Sequence, residues 1–284
     1  MPSLPAIAAL ASLLAFGGCS ALERSLIFPG TATQGRADTT VPVSTAYELV
    51  PLTTSDGTPI VAQFGRALTP AGAPRPDAAT RATVIYFYGN GACLAYSREQ
   101  FDGFRRLGFN VIIPEFPGYG MSGGTASEAA FYAAADAAYD HLLTRTDLDP
   151  TRIVAVGWSL GAAVAIDLAS RRPIARLITI SAFTSMPAVA RTAAPWAPTS
   201  LIIRSRFDNF AKIPAIACPI LLVHGPFDTL VPHAMAAELA AKATAATVRR
   251  HDVAAAGHND LFHLGGPALW RAFAEFLSPP ENER

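Results

Sequence analysis

Gly157-Trp158-Ser159-Leu160-Gly161 is a G-x-S-x-G run whose spacing has a mechanical reason. A serine at a sharp strand-to-helix turn must hold a strained backbone, and a side chain at either flanking glycine would strike neighbouring backbone. The hydroxyl then stands beside a helix N-terminus, whose free N–H groups favour developing negative charge. That is the chemistry of nucleophilic attack on an acyl carbonyl. The flanks suit the turn: RIVAV before it reads as a strand, and AAVAIDLAS after it as a helix of small residues. The bare pattern also fits a glycine-rich packing turn with an idle serine.

Serine is a weak nucleophile at its own pKa and needs a base. The chain has six histidines. His141 lies mid-helix and is expected in solvent. His224 ends a strand and is expected to brace the loop after it. His233 sits near a helix start, His251 within a strand and His263 close to the last helix. His258, in Ala256-Gly257-His258-Asn259-Asp260, follows the last strand and falls at the same end of the sheet as Ser159. A catalytic imidazole needs an acid to fix its tautomer. Asp228 lies just past the strand 220–223 and too early to cap the helix expected at Pro232. Asp252 and Asp260 are sequence neighbours of His258 and poorly placed to face its ring. An oxyanion needs donors, and Gly89-Asn90-Gly91 follows the strand 83–88. The backbone N–H groups of Asn90 and Leu160 are the expected pair; removing one such donor costs about 3 kcal/mol. A plain tight turn of small residues is compatible with that reading. No metal site is expected: H-E-x-x-H is absent, and His258 and His263 are not spaced to share a helix face.

These side chains can meet only if the elements between them form one sheet. Tyr47–Val50 and Ile60–Phe64 flank Ser55-Asp56-Gly57-Thr58, an Asp-Gly hairpin signal. Thr83–Tyr88 is a continuous apolar run, as in a strand covered on both faces. Asn110–Ile113, Arg152–Val156, Leu177–Ser181, Ile220–Val223 and Thr247–Val253 read as further strands. Helices are expected from Ser97 to Leu107, from Thr125 to about Arg145, over Leu160–Ser170, from Pro232 to about Ala243 and over Pro267–Leu277. The first two open on Ser97/Gln100 and Thr125/Glu128 capping boxes. Strand and helix alternate from residue 83 onward, which predicts a mainly parallel sheet with helices on both faces. Residues 182–219 are too long for an ordinary connection and predict a small cap or loop. There Phe183, Met186, Trp196, Ile202 and Phe207 either line an acyl pocket or simply pack.

The chain has 284 residues, 51% of them hydrophobic, enough for one large α/β domain over 47–284. Lys+Arg and Asp+Glu balance at 22 each, which argues against nucleic acid as a partner, since phosphate binding needs a basic excess. Residues 1–18 carry no charge, and Ala6–Phe16 is apolar apart from Ser12, the pattern of a signal-peptide core too short to span a bilayer. Gly17-Gly18-Cys19-Ser20 then resembles the lipobox of bacterial lipoproteins. That resemblance implies cleavage after residue 18, lipidation of Cys19, a tether over 19–46 and a membrane contact through this anchor. It also implies a bacterial envelope location on the periplasmic side, with Ser20 similar to an outer-membrane sorting pattern. An ordinary cleaved signal with an incidental Cys19 is the other reading. Cys93 follows a strand and Cys218 precedes one, so they fall at opposite ends of a parallel sheet and are expected as free thiols.

Four segments, YFYGNGAC (86–93), PEFPGYGMSGG (114–124), GWSLG (157–161), and HGPFDTLVP with AAGHND (224–232, 255–260), resemble the α/β-hydrolase superfamily over roughly residues 45–280. The second is similar to a loop of the serine-aminopeptidase and monoacylglycerol-lipase-like group. The order Ser159, Asp228, His258 is the α/β-hydrolase order. The resemblance implies that fold, an antiparallel N-terminal hairpin, and a nucleophile, acid and base at these three residues. Hydrolysis of a small-molecule acyl ester, thioester or amide without metal or organic cofactor is implied too. Tyr88 stands where the family usually has a loop-bracing His before the oxyanion glycine. A serine esterase is the leading expectation; a non-catalytic envelope scaffold, or peptidase or acyl-transfer activity on the same residues, is the alternative.

Overall fold

Strands β1 (Glu48–Thr53), β2 (Pro59–Gly65), β3 (Thr83–Phe87), β4 (Asn110–Pro114), β5 (Ile153–Trp158), β6 (Arg176–Ile180), β7 (Ile220–His224) and β8 (Val248–Asp252) form one sheet in the computed structural model, which describes residues 23–278. Their spatial order is β1-β2-β4-β3-β5-β6-β7-β8. β1 pairs antiparallel with β2, and β2 antiparallel with β4; every later pairing is parallel. The hairpin turns where Asp-Gly predicts it, with Gly57 at φ 85° and Thr58 N–H donating to Asp56 Oδ1 at 3.1 Å. β3, β4 and β7 are buried at every position, which explains their unbroken apolar sequences. β8 ends the sheet and carries Arg249 and Arg250 exposed, charges that discourage pairing with another edge.

After a helical stretch at 23–27, the described residues form α1 (Arg98–Arg106), α2 (Glu128–Thr144), α3 (Leu160–Arg171), α4 (Met186–Ala193), α5 (Thr199–Ile202), α6 (Asn209–Lys212), α7 (Ala234–Lys242) and α8 (Leu261–Leu277). α3 is buried along nearly its whole length, which its Gly161, Ala162, Ala163 and Ala165 permit by letting neighbours close in on all sides. Its one buried carboxylate, Asp167, is met by Arg171 at 2.6 Å and by Lys212 of α6 at 2.8 Å. Because strand order reverses around β3, a crevice opens at the carboxyl ends of β3 and β5, where open α/β sheets bind ligands.

Local expectations differ from the structure at four places. Ser97 does not cap α1; its hydroxyl donates to the Cys93 carbonyl at 2.9 Å. Ser127, not Thr125, caps α2 by accepting Ala130 N–H, and Glu128 turns away to accept Arg206 and Phe207 N–H at 2.6 and 2.9 Å. α8 begins before Pro267 and bends at Gly266 (φ 43°), so Pro267 opens its second part. The stretch 29–46, expected as a tether, is docked on the domain. Phe28 is buried between Phe131 of α2 and Phe207, with ring centroids 5.2 and 6.1 Å away. Gly35 N–H donates to Gly120 O at 2.8 Å, and Gly120 N–H to Thr33 Oγ1 at 3.0 Å. Two short 3₁₀ turns (Pro29–Thr33 and Ala37–Thr39) dock through a mixture of backbone groups and isolated side chains, so they leave no apolar period to read. Cys19 and the signal-like residues lie outside the described residues. Cys93 and Cys218 are both free thiols.

Candidate active site

Ser159 sits between the end of β5 and the start of α3 at φ 55°, ψ −115°, a backbone state that costs a non-glycine residue of order 1–3 kcal/mol. Its surroundings hold it there. Ser159 N–H donates to Ile180 O of β6 at 2.8 Å, and its carbonyl accepts Ala162 N–H at 2.9 Å. A Cβ on Gly157 would fall 2.1 Å from Gly161 O, and one on Gly161 would fall 2.1 Å from Phe87 O, so the turn closes only with glycine at both places. The serine side chain makes no capping bond to α3. It faces the loop after β8 instead.

There His258 lies with Nε2 2.9 Å from Ser159 Oγ and Nδ1 2.7 Å from Asp228 Oδ2. An ionised carboxylate can only accept, so Nδ1 carries the proton and Nε2 is left as the acceptor facing the serine hydroxyl. Asp228 is buried. Its Oδ1 accepts Leu230 and Val231 N–H at 3.0 and 2.7 Å, and its Oδ2 lies 3.3 Å from His224 Nε2. Burial pushes this carboxyl up, but hydrogen bonds from His224, His258 and Val231 N–H outweigh it and hold the pKa well below the usual range. His224 donates Nε2–H to Val231 O at 2.9 Å, bracing the loop that carries Asp228 as its strand-end position predicts. The loops carrying Asp228 and His258 are locked together: Phe227 N–H donates to Ala256 O at 2.9 Å, and a Cβ on Gly225 would lie 2.3 Å from the same oxygen. Asp260 takes Gly257 N–H at 2.7 Å and so shapes the turn bearing His258. The remaining histidines stand elsewhere: His233 pairs with Asp252 at 2.8 Å, and His141 is partly buried, not fully in solvent.

Asn90 lies three residues beyond the end of β3 and follows Gly89, where a Cβ would fall 3.7 Å from Ser159 Cβ. The Gly89 carbonyl accepts Ala92 N–H at 3.1 Å. In a trans peptide the N–H points opposite to its carbonyl, so this bond turns the Asn90 N–H the other way. The Asn90 carbonyl is held in turn by Gly30 N–H at 3.2 Å and Tyr119 OH at 3.0 Å. Leu160 opens α3, where N–H groups have no helical acceptor.

One residue the sequence did not single out supports this loop. Glu115, fully buried just past β4, accepts the Tyr88 hydroxyl at 2.5 Å, Leu94 N–H at 2.9 Å and Met121 N–H at 3.2 Å. The Tyr88 hydroxyl accepts Phe116 N–H at 2.9 Å in the same network. Tyr88 and Leu94 bracket the loop that carries Asn90, so one carboxylate ties down both its ends. Tyr88 thus braces the loop at the position where the family resemblance leads one to look for histidine. Burial pushes the Glu115 carboxyl up, opposed by these three donors. A glutamate after an apolar strand reads as a solvated loop residue; only the bulk of its partners betrays it. Of the apolar residues in 182–219, Phe183 and Phe207 are buried, whereas Trp196 and Ile202 face outward and line no interior pocket.

Residues 82–201 match the model of the alpha/beta hydrolase fold. An uncharacterized protein of Mycobacterium tuberculosis is 33% identical over 205 residues, 72% of this chain and 73% of that one. The alpha/beta hydrolase domain-containing protein WAV2 of Arabidopsis thaliana is 29% identical over 256 residues, 84% of this chain and 80% of WAV2. Among solved structures, an esterase of Pyrococcus furiosus superposes with TM-score 0.68 at 20% identity, covering 84% of this chain and 94% of the esterase. An alpha-beta hydrolase of Vibrio vulnificus gives 0.69 at 19% identity, with 89% and 91% covered. Sequence relatives and sheet order agree, and the chain belongs to the alpha/beta hydrolase family.

Proposed function

We propose that the protein is a serine hydrolase that cleaves a carboxylic ester or thioester through an acyl-enzyme, with Ser159 as nucleophile, His258 as base and Asp228 as its orienting acid. The observation that carries this reading is the unbroken hydrogen-bonded chain from Asp228 Oδ2 through His258 to Ser159 Oγ on a strained turn. As the serine oxygen bonds to the acyl carbon, its proton passes to His258 Nε2 and the carbonyl electron pair moves onto oxygen. The Asn90 and Leu160 N–H groups receive that oxyanion, aided by the N-terminal end of α3. Collapse expels the alcohol or thiol, which takes the proton from His258. Water then adds to the acyl-enzyme with His258 as base, the acid departs, and the proton returns to Ser159.

Similarity to a solved esterase supports ester chemistry at the level of the fold. A fluorophosphonate should label the protein one-to-one and release p-nitrophenol should be measurable with p-nitrophenyl esters. Ser159→Ala should lose both, with a rate drop on the order of 10³-fold or more. Labelling of the alanine variant at wild-type stoichiometry would defeat the reading, and a folded wild type inert to every ester and to the probe would favour a scaffold. The lipobox-like residues support a second proposal, an envelope protein lipidated at Cys19. Intact mass of membrane-extracted protein starting at Cys19, with the added mass of acyl chains, is its check.

A further inference from the structure

One buried carboxylate that the chemistry of Ser159, His258 and Asp228 does not use is bonded to both ends of the loop bearing Asn90. Glu115 has only donors for partners: Tyr88 OH and Leu94 N–H from that loop, and Met121 N–H from its own turn. An ionised carboxylate satisfies all three, whereas a protonated one would set its own hydroxyl among donors. No basic side chain is among these partners; burial pushes the carboxyl up and only hydrogen bonds oppose it. Burying a carboxylate without a cation is costly, so packing alone is a poor reason for a glutamate here. The residue is also fixed to the sheet. Its N–H donates to Val61 O of β2 at 2.7 Å, and its carbonyl accepts the Ser122 hydroxyl at 3.1 Å. The turn wraps the charge closely: a Cβ on Gly120 (φ 42°) would fall 1.9 Å from Oε2. The same turn reaches the loop a second time through Tyr119, whose hydroxyl donates to the Asn90 carbonyl.

We propose that Glu115 is a positioning residue for the oxyanion site, its carboxylate a strut between β2 and the loop that aims the Asn90 N–H. This deepens the proposed hydrolase reading and rests on it. A donor to a developing oxyanion has to be held within about 0.5 Å of its place. Anchoring Tyr88 and Leu94 sets where residues 89–93 begin and end. The bonds from Gly30 and Tyr119 to the Asn90 carbonyl set how the next peptide is turned. The Asn90 N–H is thereby held from both sides before any substrate arrives. Glu115 is fully buried and meets no substrate itself. Loss of the strut should therefore weaken transition-state stabilisation and leave ground-state binding of an ester unchanged.

Single-turnover acylation by p-nitrophenyl acetate and inhibition by a trifluoromethyl ketone, both on the full-length protein, test this role. Serine adds to the ketone to give a tetrahedral oxyanion, so its inhibition constant reads the oxyanion site directly. Glu115→Gln keeps the shape but loses the charge and sets an NH₂ against a donor; Tyr88→Phe removes one of the two loop bonds. Each should slow acylation by about tenfold, short of the roughly 10²–10³-fold that follows when a donor is removed outright. Each should raise the ketone's inhibition constant by the same factor and leave the ester's dissociation constant unchanged. Tyr139→Phe is the control: it removes a hydroxyl bond to Pro173 O, just before β6 at the opposite edge of the sheet, and should change neither quantity. Wild-type acylation in both variants overturns the proposal. So does slowed acylation with an unchanged ketone constant, or slowing matched by Tyr139→Phe. A Glu115→Gln that acylates faster also overturns it, since the charge would then oppose the oxyanion. If Glu115→Gln does not fold, Tyr88→Phe decides alone. A wild type inert to both ester and ketone defeats the hydrolase reading and this proposal with it. An active wild type matched by its variants defeats only the role of Glu115.

Discussion

Asp228 uses both carboxylate oxygens, one to hold its own loop and one to bond His258 Nδ1, so in the proposed reaction its charge would serve position and chemistry together. Asp228→Asn should leave the fold assembled but present an amide to Nδ1, allow the wrong imidazole tautomer and lower kcat/KM on an acyl ester by roughly 10⁴-fold. The same charge links stability to pH. Its folded pKa lies below the ordinary 3.8, so its contribution is complete above that value and is lost as pH falls below it. Urea unfolding at pH 7 and pH 3 should therefore show the wild type's advantage over Asp228→Asn shrinking at the lower pH. Tyr88 is the second side chain with two duties. Tyr88→Phe removes a donor from buried Glu115 and strands Phe116 N–H, which should cost about 1–3 kcal/mol in the unfolding free energy.

Strands and turns carry the geometry between those residues. At the elbow, Gly161→Ala drives a methyl into the Phe87 carbonyl, a backbone atom that cannot swing aside. The variant should lose ester turnover and melt several degrees lower, since overpacking of this kind costs about 1–3 kcal/mol or more. Much of this level was legible beforehand. Alternation of apolar runs with helical segments marks the six strands from residue 83 onward and the Asp-Gly hairpin signal the first two, and G-x-S-x-G between RIVAV and AAVAIDLAS marks the elbow because its glycines answer a steric demand that any such turn makes. Helix starts were less legible. Ser97, Thr125 and Ser127 are all competent caps, and which one serves depends on where the incoming chain bends. Glu115 was hidden for a different reason: its role exists only once Tyr88, Leu94 and Met121, brought from three separate turns, converge on it.

For the molecule as a whole, the least expected feature is the run from Ile27 to Val41, whose Pro, Gly and Thr content suggests a spacer but whose Phe28 fills a pocket between α2 and the segment 182–219. Phe28→Ala should cost about 3–5 kcal/mol, read as a fall in the denaturation midpoint, because the walls of that pocket come from two elements that cannot collapse together. The docked run also supplies one of the two donors on the Asn90 carbonyl, at Gly30, where a Cβ would lie 2.0 Å from the Tyr119 ring. The smallest autonomous unit of this protein therefore begins upstream of its first strand. A shortened version started at β1 would keep Ser159, Asp228 and His258 in full, yet leave an aromatic socket open and the peptide at Asn90 half-anchored.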